Sequence, residues 1–142
     1  MAMNFTTVKN TGQETIIHFE ATDASFATIS LSSLTASTQA RNSDAPKVNI
    51  VRFVSTGEDN ALVIVSRNGK NIIACAPENA PFLDLTAMGI TESIQNDQDI
   101  KIENKVAKAV SGYITLRKVQ GWSGKIETAE FGSYDDPTVV GR

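Results

Sequence analysis

Apolar residues along this chain recur mainly at two-residue spacing, in short runs cut by turn-forming clusters. Residues 13–20 place Ile17 and Phe19 on one side and Ile16, His18 and Glu20 on the other. Residues 27–34 set Ile29 and Leu31 inward against Thr28, Ser30 and Ser32. Residues 112–119 oppose Tyr113, Thr115, Arg117 and Val119 to Ile114, Leu116 and Lys118. A period of two is the signature of half-buried β-strands. Two segments depart from it. Residues 48–54 carry apolar side chains on both faces. Residues 61–77 hold two apolar runs, Leu62 to Val65 and Ile72 to Cys75, around Arg67-Asn68-Gly69-Lys70. Asn-Gly between such runs predicts a hairpin, because both central residues of a type I′ turn need positive φ. Runs apolar on both faces predict that these two strands lie in the middle of the sheet.

The remaining segments fit the same plan. Residues 5–9 read as a short first strand and 10–12 as its turn. Residues 35–47 are polar, small and aperiodic, an excursion closed by Pro46. Residues 86–89 suggest one helical turn ending at Gly89. Residues 95–98 form a turn before a strand at 99–103, and 105–111 is open between loop and brief helix. Residues 125–131 suggest a last short strand. About 8–10 short strands with almost no helix predict an all-β single domain, a β-sandwich or partly closed barrel. The sandwich is expected over 1–131, with an extended N-terminal arm, and 132–142 as an extended C-terminal tail.

Composition narrows the class. The 142 residues are 41% hydrophobic and 20% charged, which excludes a disordered chain. No apolar stretch approaches the roughly 20 residues of a membrane-spanning helix, and the first ten residues lack a signal-peptide core, so no membrane association or export is expected. The Asn4-Phe5-Thr6 sequon is therefore given no weight. A net charge of −3 with scattered basic residues argues against nucleic acid as a partner. The single Cys75 rules out an internal disulfide.

Catalytic chemistry is thin. His18 is the one histidine and alternates with apolar neighbours on a strand, where a surface or hydrogen-bonded role is expected. No GxSxG elbow is present. Cys75 sits in an apolar strand as a small hydrophobe, and a Cys75–His18 dyad is not expected. Asn96, Asp97 and Asp99, and Asp135 with Asp136, carry hard oxygen ligands without calcium-loop spacing, and they read as turn residues and solvated charge. Trp122, flanked by glycines, is expected to plug the end of the sandwich rather than stand exposed. No enzyme activity, cofactor or metal is expected.

The tail is apolar at Val139 and Val140 and extended at Pro137, which suits strand addition to a neighbouring chain. Four stretches carry a resemblance: NFTTVKNTGQETIIHFEATDA, STQARNSDAPKVNIVRF, ACAPENAPFLDL and GYITLRKVQGWSGKIETAEFGSYDDPTVVGR. Together they cover most of the chain, which resembles small virion structural proteins of T4-like phages of marine bacteria, the cyanophage type. The resemblance implies a capsid decoration or cement protein in the virion, assembled in the host bacterial cytoplasm. Its partners would be the major capsid protein or other virion proteins, met in many copies or as a homo-oligomer. Contact residues are expected in the arm (Asn4, Phe5, Thr6), the excursion (Arg41, Asn42) and the tail (Tyr134, Asp135, Asp136, Pro137, Val139, Val140). A neck, tail or fibre-attachment protein is the alternative. A carbohydrate- or ligand-binding sandwich using Trp122 and Tyr113 is a further one.

Overall fold

A computed structural model describes residues 3–35, 46–79, 81–89, 96–120 and 122. Nine strands follow in chain order: β1 (Asn4–Asn10), β2 (Glu14–Ala21), β3 (Ser25–Ile29), β4 (Lys47–Gly57), β5 (Val63–Arg67), β6 (Lys70–Cys75), β7 (Phe82–Asp84), β8 (Ile100–Asn104) and β9 (Val110–Gln120). They form two antiparallel sheets, β1-β2-β9-β4-β7 and β3-β8-β5-β6. Each sheet ends in edge strands, so the molecule is a β-sandwich and not a closed barrel. Phe19 and Phe53 stack in its core at 5.6 Å between centroids. Ile17, Ile50, Ile114 and Leu116 from one sheet and Ile29, Val63, Val65, Ile100 and Ile102 from the other complete it.

The alternation of β2 and β9 forms as expected, and the β5–β6 turn has positive φ at both Asn68 and Gly69. Three expectations are corrected, and the open choice over 105–111 is decided. β6 is an edge strand rather than a central one, since among the described strands it pairs with β5 alone, and a bulge at Ile72 leaves Ile73 as its buried residue while Ala74 faces solvent. The expected strand over 27–34 stops at Ile29. Residues Leu31–Leu34 form a 3₁₀ turn, with Ser33 N donating to Ser30 O at 3.0 Å and Leu31 N to the Asp99 carboxylate at 3.0 Å. Residues 105–109 are a tight connection, and β9 begins at Val110. The expected N-terminal arm is β1, paired with β2 in the same sheet. The expected strand at 125–131 and the tail at 132–142 lie outside the described residues.

Two basic side chains are structural. Arg67 shares the inward face of β5 with Val63 and Val65 and is 0% exposed. Its guanidinium donates to Val48 O at 2.7 Å, Asn96 O at 2.9 Å and Gln98 O at 2.6 Å, which holds the 96–98 turn against the sandwich. Lys118 shares the inward face of β9 with Ile114 and Leu116. Its ammonium donates to Asn10 Oδ1 at 2.9 Å and Thr11 O at 2.8 Å and lies 4.9 Å from the Trp122 ring centroid. Trp122 is 5% exposed and donates through Nε1 to Lys47 O at 3.0 Å, so it closes the end of the sandwich as expected.

Burial lowers the Lys118 pKa from 10.5 to about 8. The unfolded chain keeps that proton up to the ordinary lysine range, so between about pH 8 and 10.5 unfolding takes up a proton. The Lys118 contribution to stability therefore rises with pH across this window and is flat below it. Cys75, whose thiol is pushed up by burial, acts in the opposite sense. Urea unfolding of the wild type and of Lys118→Met from pH 7 to 10 separates the two, since Cys75 cancels in the difference. The wild type is expected to gain on the variant as pH rises; a flat difference contradicts the buried charge.

Candidate functional site

Each sheet turns one face to the core, and strand register decides what the outer faces carry. On the five-stranded sheet, Thr6 lies opposite His18, His18 opposite Tyr113, Tyr113 opposite Val54, and Val54 opposite Phe82. One transverse row thus crosses all five strands, about 19 Å from β1 to β7 at the usual strand spacing. Tyr113 is 46% exposed and Phe82 61%, and the His18 ring leans on Tyr113 at 5.0 Å between centroids. Polar rows flank this apolar one. Asn4, Glu20, Ser111 and Thr56 lie on one side, and Lys9, Thr115, Arg52 and Asp84 on the other, where Ile16 interrupts the polar run between Lys9 and Thr115 and Arg52 pairs with Asp84 at 3.7 Å. An apolar centre with a polar rim is the arrangement of a protein-binding surface.

The expected contact residues divide. Asn4, Phe5 and Thr6 stand on β1: Phe5 packs against the core, Thr6 begins the apolar row, and Asn4 joins the polar row. Asn4 also lines a cleft of about 450 Å³ at one end of the sandwich, with Glu20, Thr56, Glu58 and Ser111. Arg41, Asn42, Tyr134, Asp135, Asp136, Pro137, Val139 and Val140 lie outside the described residues. Tyr113 and Trp122 do not form a joint platform, because Trp122 is buried. Phe82 and Val54, the largest additions to the row, belong to strands whose pairing partners only the fold reveals.

The remaining candidates for chemistry are occupied structurally. Cys75 Sγ lies 3.5 Å from the buried Ser55 Oγ, on the core side of β6. His18 points outward from the other sheet, so the two make no dyad. The Asp99 carboxylate caps the Leu31–Leu34 turn, and 96–98 form a turn. Among the described residues, no three His, Cys, Asp or Glu side chains gather as a metal site.

Comparison with protein-family models, with curated proteins and with solved structures returns no match.

Proposed function

We propose that this chain is a non-enzymatic structural protein of a phage particle, a decoration or cement protein that docks on neighbouring capsid subunits. The row of His18, Tyr113, Val54 and Phe82 carries this reading, together with the sequence resemblance. A sheet face with Tyr113 on its central strand and Phe82 on its edge strand offers aromatic contact area at low conformational cost. The charged and hydroxyl-bearing rows around it keep water from the central contacts and set orientation. A modest interface of this kind gains its effect on a shell, where many copies and several contacts per copy multiply weak binding. The first β-strand adds to the contact through Thr6 and Asn4. A protein of the neck, tail or a fibre attachment would use the same face at lower copy number.

Co-sedimentation with heads that lack the protein tests the reading. Wild type is expected to pellet with the shells at hundreds of copies per particle; tens or fewer move it to the neck or tail. Tyr113→Ala combined with Phe82→Ser is expected to weaken binding by about 30-fold or more, the scale of losing interface hot spots. Both side chains are exposed, so the melting temperature should hold within a degree or two. Shell binding unchanged by the double substitution removes the face from the interface, and no binding by the wild type removes the function.

A further inference from the structure

The opposite outer face has a different character. A groove of about 470 Å³ crosses the four-stranded sheet. Its floor is a transverse row in which Thr28 lies opposite Lys101, Lys101 opposite Ser66, and Ser66 opposite Asn71. In order across the strands this row presents a hydroxyl, an ammonium, a hydroxyl and a carboxamide. The adjoining row runs Phe26, Glu103, Ile64 and Ala74, with Phe26 56% exposed. A polar strip therefore runs beside one that is mostly aliphatic and aromatic. Lys101 Nζ sits 4.4 Å from the Phe26 ring centroid and 3.7 Å from Glu103, and Lys105 reaches Glu103 at 3.5 Å. These contacts gather the ammonium and the carboxylate at the border between the two strips.

We infer that this groove binds neutral oligosaccharide. A sugar ring has hydroxyls around its rim and apolar C–H faces, so it matches a hydrogen-bonding floor with the exposed part of an aromatic ring, Phe26, standing beside the groove. Other ligand classes fit less well. A peptide adding to a sheet needs unpaired backbone groups along an edge, and the groove runs across the outer face of all four strands rather than along either edge. Nucleic acid and other polyanions meet Glu103 and Asp99 against the one Lys101 lining the groove. The hydroxyls of Thr28 and Ser66 and the Asn71 carboxamide can exchange hydrogen bonds with neutral hydroxyls, while Lys101 and Glu103 offset each other's charge beside them. This groove and the apolar row lie on opposite outer faces of the sandwich, so the inference stands independently of docking to a shell.

An NMR titration of the ¹⁵N-labelled chain with maltohexaose, cellohexaose and chitohexaose tests it, with a heparin hexasaccharide as the polyanionic probe. At least one neutral hexasaccharide is expected to shift the amides of Ser66, Asn71, Lys101 and Glu103 in a saturable way. Asn71→Ala and Phe26→Ala are each expected to weaken that binding about tenfold without changing the melting temperature. Tyr113→Ala, on the other sheet, is expected to titrate like the wild type. The inference fails if none of the three shifts these amides at millimolar concentration. It also fails if heparin binds the groove as well as they do, or if the shifts gather around Tyr113.

Discussion

Replacing Arg67 with methionine is expected to destabilise the fold by about 3–5 kcal/mol, the scale on which buried charged networks lose a partner. The length and most of the volume are kept, so the loss isolates the guanidinium. Buried ions exchanged for apolar residues are often tolerated when both partners leave together. Here the acceptors are backbone carbonyls of Val48, Asn96 and Gln98, and they stay behind. Each stranded acceptor costs about 1–3 kcal/mol less whatever water recovers, which places the sum well above a simple packing change. Arg67→Lys keeps the charge but loses the planar fork that reaches several carbonyls at once, and should fall between the two. Urea midpoints at constant m-value measure both. A methionine variant within about 1 kcal/mol of wild type would falsify the structural role of the network.

Gly112→Ala is expected to be the most costly alanine substitution among the described glycines within strands. A Cβ at this position would stand 2.8 Å from Ser55 Cα and 2.9 Å from Phe19 Cζ and would run into Val54 O. Two of those three atoms are backbone of the neighbouring strand, which cannot swing aside as a long side chain can. Overpacking of this kind costs about 1–3 kcal/mol. In a domain of this size each kcal/mol lowers the melting temperature by about 2–4 °C, so a fall of about 5–10 °C is expected. Phe19→Leu in the same chain relieves the ring contact alone and should not restore stability. A near-neutral Gly112→Ala would mean that β9 and β4 do not approach this closely.

Much of the fold was legible because period-two patterning acts locally. The alternation at Ile17 and Phe19 and at Ile114 and Leu116 marks the inner faces, and Asn68-Gly69 marks the one turn whose chemistry is unambiguous. The same parity places Arg67 with Val63 and Val65, and Lys118 with Ile114 and Leu116. A charge at the end of an apolar run nevertheless suggests a solvated turn until the carbonyls that receive it are known. Ile72 misleads in the other direction: it lengthens an apolar run, but that run is a bulged edge strand. The candidate surfaces were not legible. His18 and Tyr113 are 95 positions apart in the chain (113 − 18), and they meet Val54 and Phe82 only through a strand order that no local pattern encodes. The same holds for the row from Thr28 to Asn71.

The place of β9 has a consequence for how the protein comes into being. The last of the described strands to be synthesised lies between β2 and β4, and both hydrogen-bond to it along most of their length. Until it emerges, the early β1–β2 pair and the β4–β7 pair share no ladder, and the faces of Phe19 and Phe53 that should meet are left to water. The first sheet therefore cannot assemble progressively from the N-terminus as the ribosome releases it. Closure waits for a contact between distant parts of the chain, the kind of topology that folds slowly and in one cooperative step. A nascent chain in this interval carries the first sheet as two unjoined pairs with open edges, the state in which chaperone capture or premature association between copies competes with folding.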